Sequence, residues 1–153
     1  MKSSKRKSSY ELIQRLSGPE KFGHFAVFLE KKFVGQFSLY KGTFADSVQI
    51  SYWIRTGYQN LGIATWALSK ISNKLLDLED VFLLELIIDQ TNVASIKVAS
   101  KSGFIKKPLS EAPSKLAEGL DPKFEWFVRA RRESLPLTLS NSIYIPYLSL
   151  RVI

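Results

Sequence analysis

At 153 residues the chain is long enough for a single core, and with 45% apolar and 12% aromatic residues it is globular rather than disordered. It has no cysteine and one histidine (His24), which excludes disulfides, Cys-ligated metal sites, a cysteine acyl-enzyme and a histidine-rich zinc site; no metal is expected. The net charge of +8, from 22 Lys and Arg against 14 Asp and Glu, makes a surface that attracts phosphates, nucleic acid or acidic partners without choosing among them.

Residues 1–7 carry Lys2, Lys5, Arg6 and Lys7 and read as a basic disordered arm, either a solvated terminus or a contact for RNA or the ribosome. They lack the apolar stretch of a signal peptide, and residues 81–88, the longest apolar run, are short and include Glu85, so no membrane span is expected and the cytoplasm is the expected location. Residues 8–132 then read as one domain. Ser8-Ser-Tyr-Glu11 matches a capping box and predicts a short helix through Leu12, Ile13 and Leu16, ended by Ser17-Gly18-Pro19. Residues 25–30 and 33–40 are β-rich and predict a hairpin turning at Glu30-Lys31-Lys32.

The middle of the chain carries the strongest signal. A β-rich run at 48–54 stops at Arg55-Thr56-Gly57, and Gln59-Asn60-Leu61-Gly62-Ile63-Ala64 then opens a helix over about 61–78. Its apolar face is Ala64, Ala67, Leu68, Ile71 and Leu75. The first turn of a helix has N–H groups without internal partners at the positive end of the dipole, so a strand, a small-residue turn and a helix together form an anion site from backbone alone. Large side chains at Gly62 or Ala64 would hold a phosphate away from it. The alternative is an ordinary tight turn.

A nearly all-apolar strand at 81–89 follows, as expected for one covered on both faces. A second helix is predicted from Val93 to Ser102, with Asn92 as N-cap, Lys101 in the last turn and Gly103 just past its end. Residues 104–107 begin a further strand, 108–122 read as a long loop or one irregular turn, and 124–130 as the last strand. In 133–153 charge falls to Glu133 and Arg151 while Leu135, Leu137, Leu139, Ile143 and Ile145 alternate; this segment is expected to add a strand to its own sheet or to a second subunit, making a homodimer plausible, the alternative being a disordered tail.

Two motifs in this order, Gln59-x-x-Gly62-x-Ala64 and Asn92-x-Ala94-Ser95 followed by Lys101-x-Gly103-Phe104, resemble the pyrophosphate loop and the N-x-A-S…K-x-G-F signature of the GNAT superfamily of acyl-CoA N-acyltransferases, in its Rim-type (ribosomal-protein N-terminal) branch. The resemblance covers about 25–107. It implies an α/β (α+β) GNAT fold: a mixed, mostly antiparallel sheet with helices on both faces and a splay between two central strands, here 48–54 and 81–89, that takes pantetheine. It implies acetyl-CoA as co-substrate, an amine acceptor, and a cofactor site of Trp53, Ile54, Arg55, Gln59, Asn60, Leu61, Gly62, Ile63, Ala64, Thr65, Asn92 and Ser95, with the backbone of Trp53, Ile54 and Arg55 bonding the pantetheine amides like an added strand.

Acetyl transfer needs an amine freed of its proton and an acid for the departing thiolate. By resemblance Ser95 is the acid; alternatively it serves the first turn of its helix. The base is less defined: Gln49 and Ser51 stand where relatives carry a glutamate, leaving Glu85 (base, or a structural ion pair), Glu125, or a relay through Tyr52, Tyr58 or His24. Lys97 and Lys101 share a helix face that either meets the coenzyme A 3′-phosphate or is solvated. Rim-type relatives usually place a strand and two helices before the hairpin; with 24 residues there, the first strand and part of that cap are expected to be missing. The sequence therefore supports three readings: an N-acetyltransferase acting on a protein N-terminus or small primary amine by direct attack in a ternary complex; a shortened GNAT-like binding or accessory protein; and, least, an RNA- or ribosome-associated module using 1–7 and 129–132.

Overall fold

The computed structural model describes residues 10–15 and 21–132, and side chains from residue 23 onward. Seven strands form one sheet in the order β1-β2-β3-β4-β5-β7-β6: β1 (Tyr10–Arg15), β2 (Lys21–Leu29), β3 (Lys32–Lys41), β4 (Ser47–Ile54), β5 (Leu83–Asp89), β6 (Ile105–Lys107) and β7 (Phe124–Ala130). All neighbours are antiparallel except β4 and β5. The strands at 25–30, 33–40, 48–54, 81–89, 104–107 and 124–130 are thus recovered to within a few residues. The hairpin turns at Glu30 and Lys31, both left-handed at φ 48° and 67°, the primed geometry whose twist matches the flanking strands, here reached without glycine.

Two expectations fail at the N-terminal side. The predicted helix is strand β1, which pairs along its whole length with β2 from Tyr10↔Leu29 to Arg15↔His24. Six residues are too few for a stable isolated helix, and the free edge of β2 offers every one of them a backbone partner. The first strand is therefore present, but only residues 16–20 separate it from β2, too few for two helices. The third departure is residues 108–122, which contain a 3₁₀ turn (Leu109–Glu111) and a short helix, α3 (Ser114–Gly119).

Helices cover both faces, unevenly. On one face α1 (Ile63–Leu76) and α2 (Val93–Lys101) pack over Phe25, Val27, Phe37, Leu39, Val48, Ile50, Leu84, Leu86 and Phe127. Alternation turns Leu83, Trp126 and Val128 to the other face, where Phe44, Leu109, Ala112 and Leu116 pack on them. That second covering stops at β5 and β7. Further along the same face, β2–β4 present His24, Gln36, Ser38, Ser51 and Trp53, with Trp53 and Phe33 in edge contact at 5.6 Å. Among the described residues no helix covers this part.

The β3–β4 loop is held close to the sheet at Gly42. A Cβ there would stand 2.1 Å from Ser47 Oγ, 2.6 Å from Glu85 Oε1 and 2.7 Å from the Ser47 carbonyl carbon. Gly42→Ala is expected to lower stability by about 1–3 kcal/mol or more, because backbone cannot move aside as a side chain can; a denaturant midpoint unchanged from wild type would contradict this packing. Residues 1–7 and 133–153 lie outside the described residues, as does any strand added by the latter.

Candidate active-site cleft

Strands β4 and β5 pair only at Ser47↔Leu83, Val48↔Leu84 and Gln49↔Glu85. Beyond that point they separate, although β4 continues to Ile54 and β5 to Asp89. The gap opens onto a cleft of about 480 Å³ between the N-terminal ends of α1 and α2. Of the residues expected at a cofactor site, Trp53, Ile54, Gln59, Asn60, Gly62, Ile63, Ala64, Thr65, Asn92 and Ser95 line it together. Leu61 and Arg55 do not: Leu61 is 58% exposed, and the Arg55 side chain points to solvent.

The turn before α1 has the geometry the sequence implied. Asn60 and Gly62 are left-handed (φ 62° and 79°), and the first helical bond runs from Trp66 N–H to Gly62 O. No side chain caps this end and no acidic residue occupies its first turn. The amides of Ile63, Ala64 and Thr65 therefore meet the cleft with the helix dipole behind them. Gln59 donates from Nε2 to Ile54 O at 3.0 Å, tying the loop to the end of β4.

The backbone groups of β4 that face the gap differ from those expected. Arg55 N–H donates to Val34 O at 2.8 Å, which turns Arg55 and Trp53 toward β3. Alternation then directs the backbone of Tyr52 and Ile54 into the gap. An extended ligand arm would bond Tyr52 and Ile54, with Trp53 contributing its side chain.

On the opposite wall, Asn92 caps α2 by accepting from the Ser95 amide at 3.1 Å. Asn92→Ala is expected to cost about 1 kcal/mol of stability, and an unchanged thermal midpoint would show that the cap does not hold the helix. With Asn92 as cap, the Ser95 hydroxyl is free to face the cleft. Gly103 (φ 84°) ends α2 as predicted, with Phe104 N–H bonding Ala99 O at 3.0 Å. Lys97 and Lys101 are exposed on α2 and line the cleft mouth. Tyr58, Ala94 and Val98 also line it without having been assigned to the cofactor site; Ala94, Val98 and Lys101 share one face of α2, a spacing that could have marked them.

Glu85 stands apart from this cleft, and it is not in an ion pair. It is 1% exposed, on the side of the sheet away from α1, and four neutral donors converge on it. Thr43 N–H (2.7 Å) and Ser47 Oγ reach Oε1; Thr43 Oγ1 (2.5 Å) and Trp126 Nε1 (2.9 Å) reach Oε2. These four bonds tie β5 to the β3–β4 loop, to the start of β4 and to β7, at the last paired residues before the strands part. Glu125 pairs with Lys106 at 2.5 Å on the outer strands, and His24 Nδ1 bonds Ser38 Oγ at 2.7 Å on the face of β2 and β3 away from α1. Among the described residues lining the cleft there is no carboxylate or imidazole, and no cluster of three or more potential metal ligands occurs elsewhere.

The basic run near the end of the domain is committed to the fold. Arg129 donates to Ser102 O (3.1 Å) and Asn73 Oδ1 (2.7 Å), and Arg131 to Leu76 O (2.9 Å) and Leu78 O, so both arginines engage the C-terminal ends of helices. Burial and the neighbouring Arg132 charge lower the Arg129 pKa. No helix among the described residues is long and apolar enough to cross a membrane.

A mixed sheet parted between two parallel central strands, with an uncapped helix N-terminus at the opening, is the architecture of the GNAT acyltransferases. The model of the acetyltransferase (GNAT) domain family matches residues 2–105, and the chain belongs to that family. Solved structures share the fold at low identity. The ribosomal-protein-S5-alanine acetyltransferase from Vibrio fischeri aligns with a TM-score of 0.60 and 20% identity, covering 74% of this chain and 64% of its own. The ribosomal L7/L12 α-N-protein acetyltransferase RimL, solved with coenzyme A, gives 0.58 and 20%, over 71% and 61%. The microcin C7 self-immunity acetyltransferase MccE, solved with acetyl-CoA and AMP, gives 0.58 and 19%, over 70% and 59%. The chain thus spans about three fifths of the length of these chains. A search of curated protein sequences finds no match.

Proposed function

We propose that this protein is an N-acetyltransferase that moves the acetyl group of acetyl-CoA to a primary amine, on a protein N-terminus or a small molecule, by direct attack in a ternary complex. The observation that carries this reading is the intact cleft: strands parted beyond Gln49↔Glu85, leading to the uncapped amides of Ile63, Ala64 and Thr65. The diphosphate rests on those amides, the pantetheine arm adds to β4 at Tyr52 and Ile54, and the thioester lies in the gap near Ser95. Lys97 and Lys101 flank the mouth, where a 3′-phosphate is within their reach; raising ionic strength should weaken binding if they contribute.

Positioning supplies much of the rate, because the thioester is already activated. The sequence contains no cysteine, so no cysteine acyl-enzyme intervenes. Ser95 donates to the departing sulfur. The proton of the attacking amine leaves through water, since the described residues lining the cleft include no carboxylate or imidazole. Glu85 acts as a clamp at the closed end of the splay rather than as the base. The acceptor approaches over the face of β4 that carries Ser51 and Trp53, which no helix among the described residues covers.

The lack of a carboxylate or imidazole among the described lining residues supports a second reading, in which the protein binds the cofactor as an accessory subunit with little or no turnover. A screen for free coenzyme A released from acetyl-CoA, across peptide N-termini, polyamines and aminoglycosides, separates the two. Amine-dependent release with acetylated product supports the enzyme. Tight acetyl-CoA binding with no release above the hydrolytic background across the panel supports the accessory role.

A further inference from the structure

The Tyr52 hydroxyl is buried without a hydrogen-bond partner. The ring is stacked on Phe37, with centroids 4.8 Å apart and planes 15° apart, and this fixes its direction. The ring belongs to the core, while the residue forms part of the cleft wall. Leaving a buried hydroxyl unpaired is costly, and such atoms usually mark a bond that a ligand or water completes. Phenylalanine would keep the stacking without that cost.

Ser95 faces Tyr52 across the gap from α2. The two residues line the same cleft, and no hydrogen bond joins the Tyr52 hydroxyl to Ser95. Burial raises the Tyr52 pKa and outweighs the opposing effect of Ser95, so the phenol keeps its proton at neutral pH and acts as a donor. The Ser95 amide is already held by Asn92, so the serine hydroxyl is available to bridge.

We propose that Tyr52 is a positioning residue for acetyl transfer: its hydroxyl donates to Ser95 Oγ and thereby directs the serine proton at the coenzyme A sulfur as the thioester breaks. This rests on the acetyltransferase reading of the cleft. In the step, the amine nitrogen bonds the carbonyl carbon, the C–S bond breaks and its electron pair goes to sulfur. The chain Tyr52 Oη–H···Ser95 Oγ–H···S⁻ holds that charge until the proton released by the amine reaches sulfur through water. Neither hydroxyl is consumed.

The test uses coenzyme A itself, whose thiol is the only thiol in the complex because the protein has no cysteine. The alkylation rate of coenzyme A, at protein concentrations that saturate it, is followed against pH for wild type, Tyr52→Phe, Ser95→Ala and the double variant. Tyr58, Lys97 and Lys101 are the other titratable groups among the described residues lining this cleft and are unchanged throughout. In the wild type the bound thiol should ionise below free coenzyme A. Tyr52→Phe should raise that midpoint by about one pH unit, a tenfold change in thiolate fraction, with affinity for the neutral thiol within about twofold and a melting temperature at or above wild type. Ser95→Ala should raise it at least as far, and the double variant no further than Ser95→Ala alone. A Tyr52→Phe midpoint equal to wild type, with coenzyme A bound normally, overturns the proposal and leaves the cleft assignment standing. Failure of folded wild type to bind coenzyme A overturns the cleft assignment and this proposal together.

Discussion

Gly62→Glu is expected to leave the protein folded and to abolish the thermal stabilisation that acetyl-CoA confers on the wild type. A Cβ at this position meets nothing within 4 Å, so no steric clash opposes folding. The left-handed backbone at φ 79° costs a side-chain-bearing residue about 1–2 kcal/mol, and a carboxylate beside a helix N-terminus offsets part of that. The same carboxylate occupies the place of the diphosphate and repels it. At acetyl-CoA about a hundred times its Kd the wild type should gain about 2.7 kcal/mol, and the variant close to none. Gly62→Ala, with the same backbone strain and no charge, should keep most of the gain. Equal stabilisation of wild type and Gly62→Glu would move the diphosphate off this turn.

Glu85→Ala is expected to be among the most destabilising single substitutions in the domain, at about 3–5 kcal/mol. It leaves four donors from Thr43, Ser47 and Trp126 without their acceptor in a site 1% exposed, each costing about 1–3 kcal/mol before relaxation, and it opens a cavity. Glu85→Gln should cost roughly half as much, because one oxygen keeps its two donors while the new NH₂ faces two others. The functional consequence separates clamp from base. If Glu85 holds the closed end of the splay, Glu85→Gln weakens acetyl-CoA binding and leaves the shape of the pH–rate profile as in wild type. Loss of the acidic limb of that profile, where protonation of a base lowers the rate, with stability unchanged, would restore Glu85 as the base.

The elements legible in the sequence were those whose signal is local. The turn at 59–64 could be read because glycine, a small residue and a helical apolar face follow one another directly, and Asn92 and Gly103 bracket α2 with ordinary capping chemistry. What misled was non-local. Ser8-Ser-Tyr-Glu11 matches a helix start, but the edge of β2 pairs with residues 10–15 and decides for strand. Glu85 in an apolar strand reads as a base or an ion pair, yet its partners come from 38 to 42 residues away in sequence and are neutral, which no spacing rule reveals. The gap-facing backbone of β4 depends on which residues pair with β3, so it moved by one residue, from Trp53 and Arg55 to Tyr52 and Ile54. In the sequence Tyr52 is one of three possible proton relays, with Tyr58 and His24; its buried hydroxyl on the cleft wall sets it apart from the other two.

The measurement that bears most directly on the cleft between β4 and β5 is calorimetric titration of the wild-type protein with acetyl-CoA, run at two temperatures so that a near-zero enthalpy at one does not conceal binding. One acetyl-CoA per chain with a micromolar Kd, weakening as salt is raised, is the predicted result. A folded protein that gives no binding heat at either temperature would contradict it: the parted strands and the uncapped helix would then be features of the fold without a cofactor.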